Sequence, residues 1–220
     1  MNAKVIDRSR WEELTIKAFN ATARDDAARR GPGFEFFVDE VFARVMSQMP
    51  MDPNVLDLGC GFGRLIPVLE ACGVQRIVGI DASSECIRIM KERYPKHDFR
   101  VGNILSLKET LDKALFDGFF AMTSLMHILP EHMPQAARSI REVVRTGAIG
   151  FISTPHGSEE ALLSKDSSDM NGAVIPEGHY IFRALWNPER FIECFTREGF
   201  SLGNPSLING RMLEITVKAI

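Results

Sequence analysis

The chain alternates between two hydrophobic periods. Trp11, Leu14, Ala18 and Ala21 recur at three- to four-residue spacing, and so do Phe37, Val38, Val41, Phe42, Val45 and Met46. Each set predicts a helix in the first fifty residues, and Gly31-Pro32-Gly33 separates the two. The period then changes. Residues 54–58 (Asn-Val-Leu-Asp-Leu) form a short β-like run that ends in glycines. Residues 64–72 return to helical spacing and stop at Gly73, with Pro67 close enough to the start to be tolerated. A strand over 76–80 ends at Asp81. Ser83 or Ser84 can cap the next helix, in which Ile87 and Met90 face inward and which Pro95 terminates. Residues 98–101 make a third strand, followed by Gly102-Asn103. Residues 116–122 are nearly all apolar, as in a strand buried on both faces. A helix over 131–145, with Ala136, Ala137, Ile140, Val143 and Val144 on one side, leads into a fifth strand over 148–152.

After a long insertion at 155–186, Asn187-Pro188 opens a helix whose buried face is Phe191, Ile192 and Phe195 and which Gly199 ends. The chain closes with two β-like runs, 200–208 and 211–220. The Asn209-Gly210 pair between them is a strong short hairpin signal. Strand and helix alternating five times predicts parallel strands with helices on both faces, finished by an antiparallel hairpin. One domain over 1–220 is expected, with residues 1–50 as a helical cap and 155–186 as an inserted lid.

Composition narrows the class. Hydrophobic residues make up 45% and charged residues 25% of the 220 positions, as in globular proteins that bury a core. The net charge of −3 gives no reason to expect a nucleic-acid backbone as partner. The four cysteines, Cys60, Cys72, Cys86 and Cys194, form no C-x-x-C pair and no zinc spacing, so no metal is expected. They read as reduced thiols, and neither a signal peptide nor a membrane span is evident, which points to the cytoplasm. Oligomeric state is not legible.

The chemistry gathers at Gly59-Cys60-Gly61-Phe62-Gly63, which follows a strand and opens a helix. Glycines allow a sharp turn and close approach of a ligand, and the helix start supplies free N–H groups. Asp81 ends the next strand, eighteen residues after Gly63, where a carboxylate can accept both hydroxyls of a ribose. A dinucleotide fingerprint needs glycine at position 64, which is Arg64, and the Gly-Lys-Ser/Thr of a P-loop is absent.

The G-x-G-x-G spacing after Val55-Leu56-Asp57-Leu58 resembles motif I of the class I S-adenosylmethionine-dependent methyltransferases, and the terminal hairpin resembles that family's antiparallel addition to its sheet. The resemblance covers residues 54–220. It implies an α/β, three-layer Rossmann-like sandwich with a mostly parallel seven-stranded sheet, a C-terminal antiparallel hairpin and N-terminal helices. It implies S-adenosyl-L-methionine as cofactor, S-adenosyl-L-homocysteine as product, and a methyl group moved to O or N of a small metabolite. Carried over by residue, Asp57, Gly59, Cys60, Gly61 and Gly63 surround the methionine end. Asp81 binds the ribose, Ala82 lies along the adenine, and Asn103 with Ile104 sits beside the adenine amino group. Asn103 departs from the family's usual Asp. Met122 and Thr123 border the sulfonium.

His127, just past the fourth strand, is either a general base or substrate contact, or a structural histidine fixing its turn. His156, His179 and Tyr180 in the insertion are candidates for binding the acceptor; surface histidines on a bland excursion are the other reading. Trp186 suits core packing. Arg64 is either a partner for the cofactor carboxylate or a solvated helix residue. A small acceptor is favoured because Met122-Thr123-Ser124-Leu125 lacks the Asn/Asp-Pro-Pro-Tyr/Phe pattern used on exocyclic amines of bases. A nicotinamide-dependent oxidoreductase and a non-catalytic cofactor-binding module are the rival readings.

Overall fold

The computed structural model describes residues 7–30, 40–112, 115–165, 167 and 174–220. The Gly31–Gly33 break and the apolar positions Phe37 and Val38 lie outside them.

The parallel strands β1 (Asn54–Leu58), β2 (Arg76–Asp81), β3 (Asp98–Val101), β4 (Phe116–Met122) and β5 (Val144–Pro155) form most of one sheet. Between them run α3 (Ile66–Ala71), α4 (Ser84–Arg93), α5 (Leu107–Leu111) and α6 (Met133–Arg141). After α7 (Pro188–Arg197), the chain adds β8 (Phe200–Leu202), β9 (Ser206–Ile208) and β10 (Met212–Ala219). The spatial order is β3-β2-β1-β4-β5-β10-β8, with β9 also on β10. The last three strands are joined by antiparallel pairings. The sheet thus has eight strands rather than seven. The run over 200–208 breaks at Gly203-Asn204-Pro205, and both pieces pair with β10. Asn209 and Gly210 both adopt positive φ, 51° and 67°, in a turn closed by the Arg211 N–H on the Ile208 carbonyl, and the ladder starts where Met212 pairs with Ile208.

Strand alternation sorts the core onto two faces. Leu56, Leu58, Phe119 and Ile152 pack with α6 and α7, while Val55, Phe120 and Phe151 pack with α2 (Glu40–Ser47), α3 and α4. Strand β5 begins at Val144, four residues before the position the periodicity suggests, and α6 stops at Arg141. Val143 and Val144 are both buried, which satisfies a helical stripe and a strand alike.

Helix α1 (Trp11–Arg30) is real but faces differently from the expected stripe. Its buried positions include Thr15, Ala18, Thr22, Ala23, Asp26 and Ala27, and Ala21 is exposed. The polar residues in that stripe have a reason. Rather than packing into the sheet core, α1 packs against α4 and β7 (Ile181–Ala184). Strand β7 pairs antiparallel with β6 (Glu160–Leu163) in a separate two-stranded sheet formed by the insertion. No helix among the described residues is long and apolar enough to cross a membrane.

Candidate functional site

At the carboxyl ends of β1, β2 and β4 the chain makes a cavity of about 210 Å³, bounded on the far side by α1 and β7. The glycine turn forms its floor. Gly59 and Cys60 both donate to the Ile80 carbonyl, at 2.7 and 3.1 Å, which pins the turn to the end of β2. Gly59 sits at φ 69°, and a Cβ there would lie 2.3 Å from the Ser124 Cβ, so glycine is required by the protein itself. Gly61 differs. It also has positive φ (52°), but a Cβ on it would meet no protein atom within 4 Å. Its bare face is open to the cavity.

The Gly61 N–H donates to Asp81 Oδ2 at 2.9 Å, and the Ser83 N–H donates to Asp81 Oδ1 at 2.8 Å. One carboxylate therefore bridges the glycine turn and the head of α4, which Ser83 also caps through Cys86. Burial pushes the Asp81 carboxyl above its ordinary value, and these two backbone bonds pull it back. Helix α3 begins only at Ile66 and has six residues, so the donors at this turn are loop N–H groups rather than a helix start.

Asp57 is 2% exposed, and its Oδ2 is buried with no hydrogen-bond partner. Burial pushes its carboxyl up to about 7; the nearby Asp81 charge adds to this, and Arg64 opposes it. A cation brought into this cavity would satisfy that oxygen and favour the ionised form. Ser124 Oγ is likewise buried and unpartnered. Thr123, just after β4, is held at φ 56°, a conformation that costs a residue with a Cβ about 1–3 kcal/mol and clusters at binding sites. The Cys60 thiol, pushed well up by burial, stays protonated.

Ala82, Asn103, Ile104, Met122 and Thr123 all border the same cavity. Asn103 Oδ1 accepts from the Leu105 N–H at 2.9 Å, capping the short turn Ile104–Ser106, so its amide oxygen is already engaged. Arg64 also borders the cavity, with its guanidinium 5.7 Å from the centre of the Phe62 ring.

On the other side, His127 lines the cavity from the turn Leu125–His127. Its Nδ1 lies 2.7 Å from the Phe182 carbonyl oxygen, and its ring meets Phe19 edge-on at 5.0 Å. A carbonyl only accepts, so Nδ1 carries a proton, and whenever the ring is neutral its lone pair is on Nε2. The three insertion residues expected to bind an acceptor are not among the cavity's lining residues. His156 is tied to the strand ends, bridging Trp186 and donating from its N–H to the Arg211 carbonyl. His179 contacts the nearby Glu177 carbonyl at 3.2 Å, and Tyr180 lies half-buried outside the lining. Instead the insertion contributes Leu163, Ile181 and Arg183, and α1 contributes Glu12, Thr15, Ile16, Phe19 and Asp26. None of these carries a local motif; only the tertiary docking of α1 and β7 brings them together. Trp186 is buried in the core, as expected. No metal-holding cluster of His, Cys, Asp or Glu occurs among the described residues.

Residues 55–147 match a family described as "Methyltransferase domain". The matched segment contains the glycine turn, Asp81 and the end of β4. Residues 55–147 carry a methyltransferase domain, and the chain is similar to class I S-adenosylmethionine-dependent methyltransferases. S-adenosyl-L-methionine is the cofactor to which its relatives point. The domain is 29% identical over 119 residues to a trans-aconitate 2-methyltransferase of Azoarcus sp. (strain BH72), covering 53% of this chain and 45% of that protein. It is 25% identical over 176 residues to an O-methyltransferase of Pyrenophora dematioidea, covering 76% of this chain and 61% of the other. The chain thus spans less than two thirds of the length of these relatives. The DhpI–SAH complex superposes with a TM-score of 0.71 at 18% identity, over 97% of this chain and 98% of that one. At that identity the likeness speaks for the fold alone. In this methyltransferase domain, helix α1 and strands β6 and β7 lie outside the matched segment.

Proposed function

We propose that the chain moves a methyl group from S-adenosyl-L-methionine to an oxygen or nitrogen of a small metabolite in the cytoplasm, releasing S-adenosyl-L-homocysteine. One observation carries this reading: the unpartnered buried oxygen of Asp57 borders the same cavity as the bare face of Gly61 and the Asp81 carboxylate. A cationic amino-acid ligand bearing a ribose matches all three.

The residues present fit the donor. Asp57, with the turn residues Gly59, Cys60 and Gly61, would hold its methionine end; Gly63 turns its bare face to Met90 and Tyr94 instead. Asp81 accepts from the ribose, using lone pairs left by Gly61 and Ser83. Ala82, Asn103 and Ile104 flank the adenine, and Met122 and Thr123 border the sulfur. When bound, the donor supplies a methyl group already activated by the sulfonium charge, so the protein's task is alignment and exclusion of water. Helix α1 and the β6–β7 sheet do the excluding, as a cap and a lid on a single domain. Ile16, Phe19, Leu163 and Ile181 give the acceptor side an apolar wall. His127, with its lone pair on Nε2, takes the proton from an acceptor that arrives as a hydroxyl.

Calorimetry with S-adenosyl-L-methionine and with S-adenosyl-L-homocysteine tests the proposal. Binding of both by folded protein is the expected result, and binding of neither would remove it.

A further inference from the structure

A chain of three hydrogen bonds reaches His127 from α1. The Thr15 hydroxyl donates to the Trp11 carbonyl at 2.8 Å. A hydroxyl has one proton, so with that proton committed the oxygen is an acceptor, and it receives the Phe182 N–H at 2.8 Å. The Phe182 carbonyl in turn accepts from His127 Nδ1 at 2.7 Å. Thr15 is 4% exposed and Phe182 is fully buried, so water does not compete for these groups.

The arrangement also closes an edge. Among the described residues, strand β7 pairs with β6 on one side only. Phe182 sends its N–H and its carbonyl to Thr15 and His127, so both lie on the other edge, where a third strand would otherwise bond. The Phe182 side chain packs in the sheet core, with its ring 5.3 Å from that of Trp11. Alternation then turns Ile181 and Arg183 the opposite way, onto the cavity wall.

We propose that Thr15 is a positioning residue for His127: by fixing the Phe182 main chain, whose carbonyl receives Nδ1, it holds the imidazole as the Nδ1–H tautomer, leaving Nε2 as the basic nitrogen at the cavity. Its use in methyl transfer rests on the reading of His127 as the base; the tautomer itself does not. An unconstrained neutral imidazole favours the other tautomer, so the preference is measurable.

The test is a long-range ¹H–¹⁵N spectrum of the ¹⁵N-labelled full chain, recorded above the pH at which His127 titrates and assigned with His127→Gln. The native protein is expected to show His127 mainly as Nδ1–H. Thr15→Val, which keeps the branched shape and loses the hydroxyl, should shift the ring towards Nε2–H, and Thr15→Ser should restore the native pattern. Thr15→Ala serves if the valine variant does not fold. Native protein with Nε2–H as the major form overturns the proposal, and so does a folded Thr15→Val or Thr15→Ala that keeps the native pattern. Calorimetry with S-adenosyl-L-homocysteine on the same native sample reports separately on the methyl-transfer reading. Loss of that binding sinks the methyl-transfer reading, while the spectra alone decide the role of Thr15.

Discussion

The two halves of the cavity are built from different material. The proposed donor half is local: one turn and two strand ends, in which Gly59 and Cys60 donate to the Ile80 carbonyl at 2.7 and 3.1 Å and the Gly61 N–H donates to the Asp81 carboxylate at 2.9 Å. The proposed acceptor half is assembled at long range, from α1, a turn after β4 and a strand of the insertion, tied together by single side chains such as Thr15 and Glu12. Glu12 Oε1 holds both the Leu129 N–H, at 3.2 Å, and His132, at 3.1 Å. A half made of backbone geometry tolerates few sequences. A half made of side-chain ties can change with little cost to the fold, and there a family can vary what it methylates.

The sharpest way to break this contrast is at the glycines. Gly59→Ala combines a left-handed backbone with a Cβ driven onto Ser124, and should cost about 3 kcal/mol of unfolding free energy. Gly61→Ala has space for its Cβ and should cost only about 1 kcal/mol, while donor affinity falls roughly tenfold or more, because that space belongs to the ligand. Chemical denaturation and calorimetry on the two variants separate the effects. If both variants lose stability alike, the open face of Gly61 is not a ligand surface.

Asp81→Ala comes next. It removes the acceptor of two backbone N–H groups and the proposed ribose contact, so donor binding should weaken by about 1–3 kcal/mol. Unchanged affinity would move the ribose elsewhere.

A third, smaller effect is read by pH. Burial leaves Asp57 protonated up to about pH 7 in the ligand-free protein. A raised carboxyl means the folded chain binds a proton more tightly than the unfolded one. Its contribution to stability is thus fully present below the ordinary value of 3.8 and is lost as pH rises to about 7. A cationic donor needs the ionised form, so below pH 7 binding must expel a proton. The apparent Kd should then rise by up to about tenfold per pH unit of acidification, and level off above pH 7. Asp57→Asn should flatten that slope. Titrations from pH 5.5 to 8 in buffers of different ionisation enthalpy would count the proton, and a slope equal in native protein and variant would remove Asp57 from the donor site.

These expectations also mark what the sequence makes legible. The strands over 54–58, 98–101 and 116–122 coincide with β1, β3 and β4, because apolar runs bounded by glycine, proline or a cap have one good reading. The donor-side residues follow from the glycine spacing and the resemblance it carries, and all but Gly63 line one cavity; the bare face of Gly63 is turned to Met90 and Tyr94 instead. The acceptor wall cannot. Thr15 and Asp26 are polar residues inside a buried helical stripe, which a search for apolar period discards, and Arg183 alternates with Phe182 in a strand whose partner is on neither side of it in the main sheet. Ala21 is exposed because α1 packs on α4 and β7 instead of the sheet core, which no pattern within α1 discloses.

The smallest predicted effect tests that division most directly. His179 is the kind of residue that attracts attention in a sequence: a histidine beside a tyrosine in an inserted segment. In the fold its Nδ1 meets a carbonyl two residues away, and it does not border the cavity. His179→Ala should therefore change unfolding free energy by less than about 0.5 kcal/mol and leave S-adenosyl-L-homocysteine affinity within about twofold of native, since twofold is about 0.4 kcal/mol. His127→Ala, by contrast, should leave donor affinity near native and lower turnover if the ring is the proposed base. A large loss in His179→Ala would mean that the insertion reaches the cavity through residues other than Leu163, Ile181 and Arg183. The acceptor half would then be more local in sequence than its hydrogen bonds indicate.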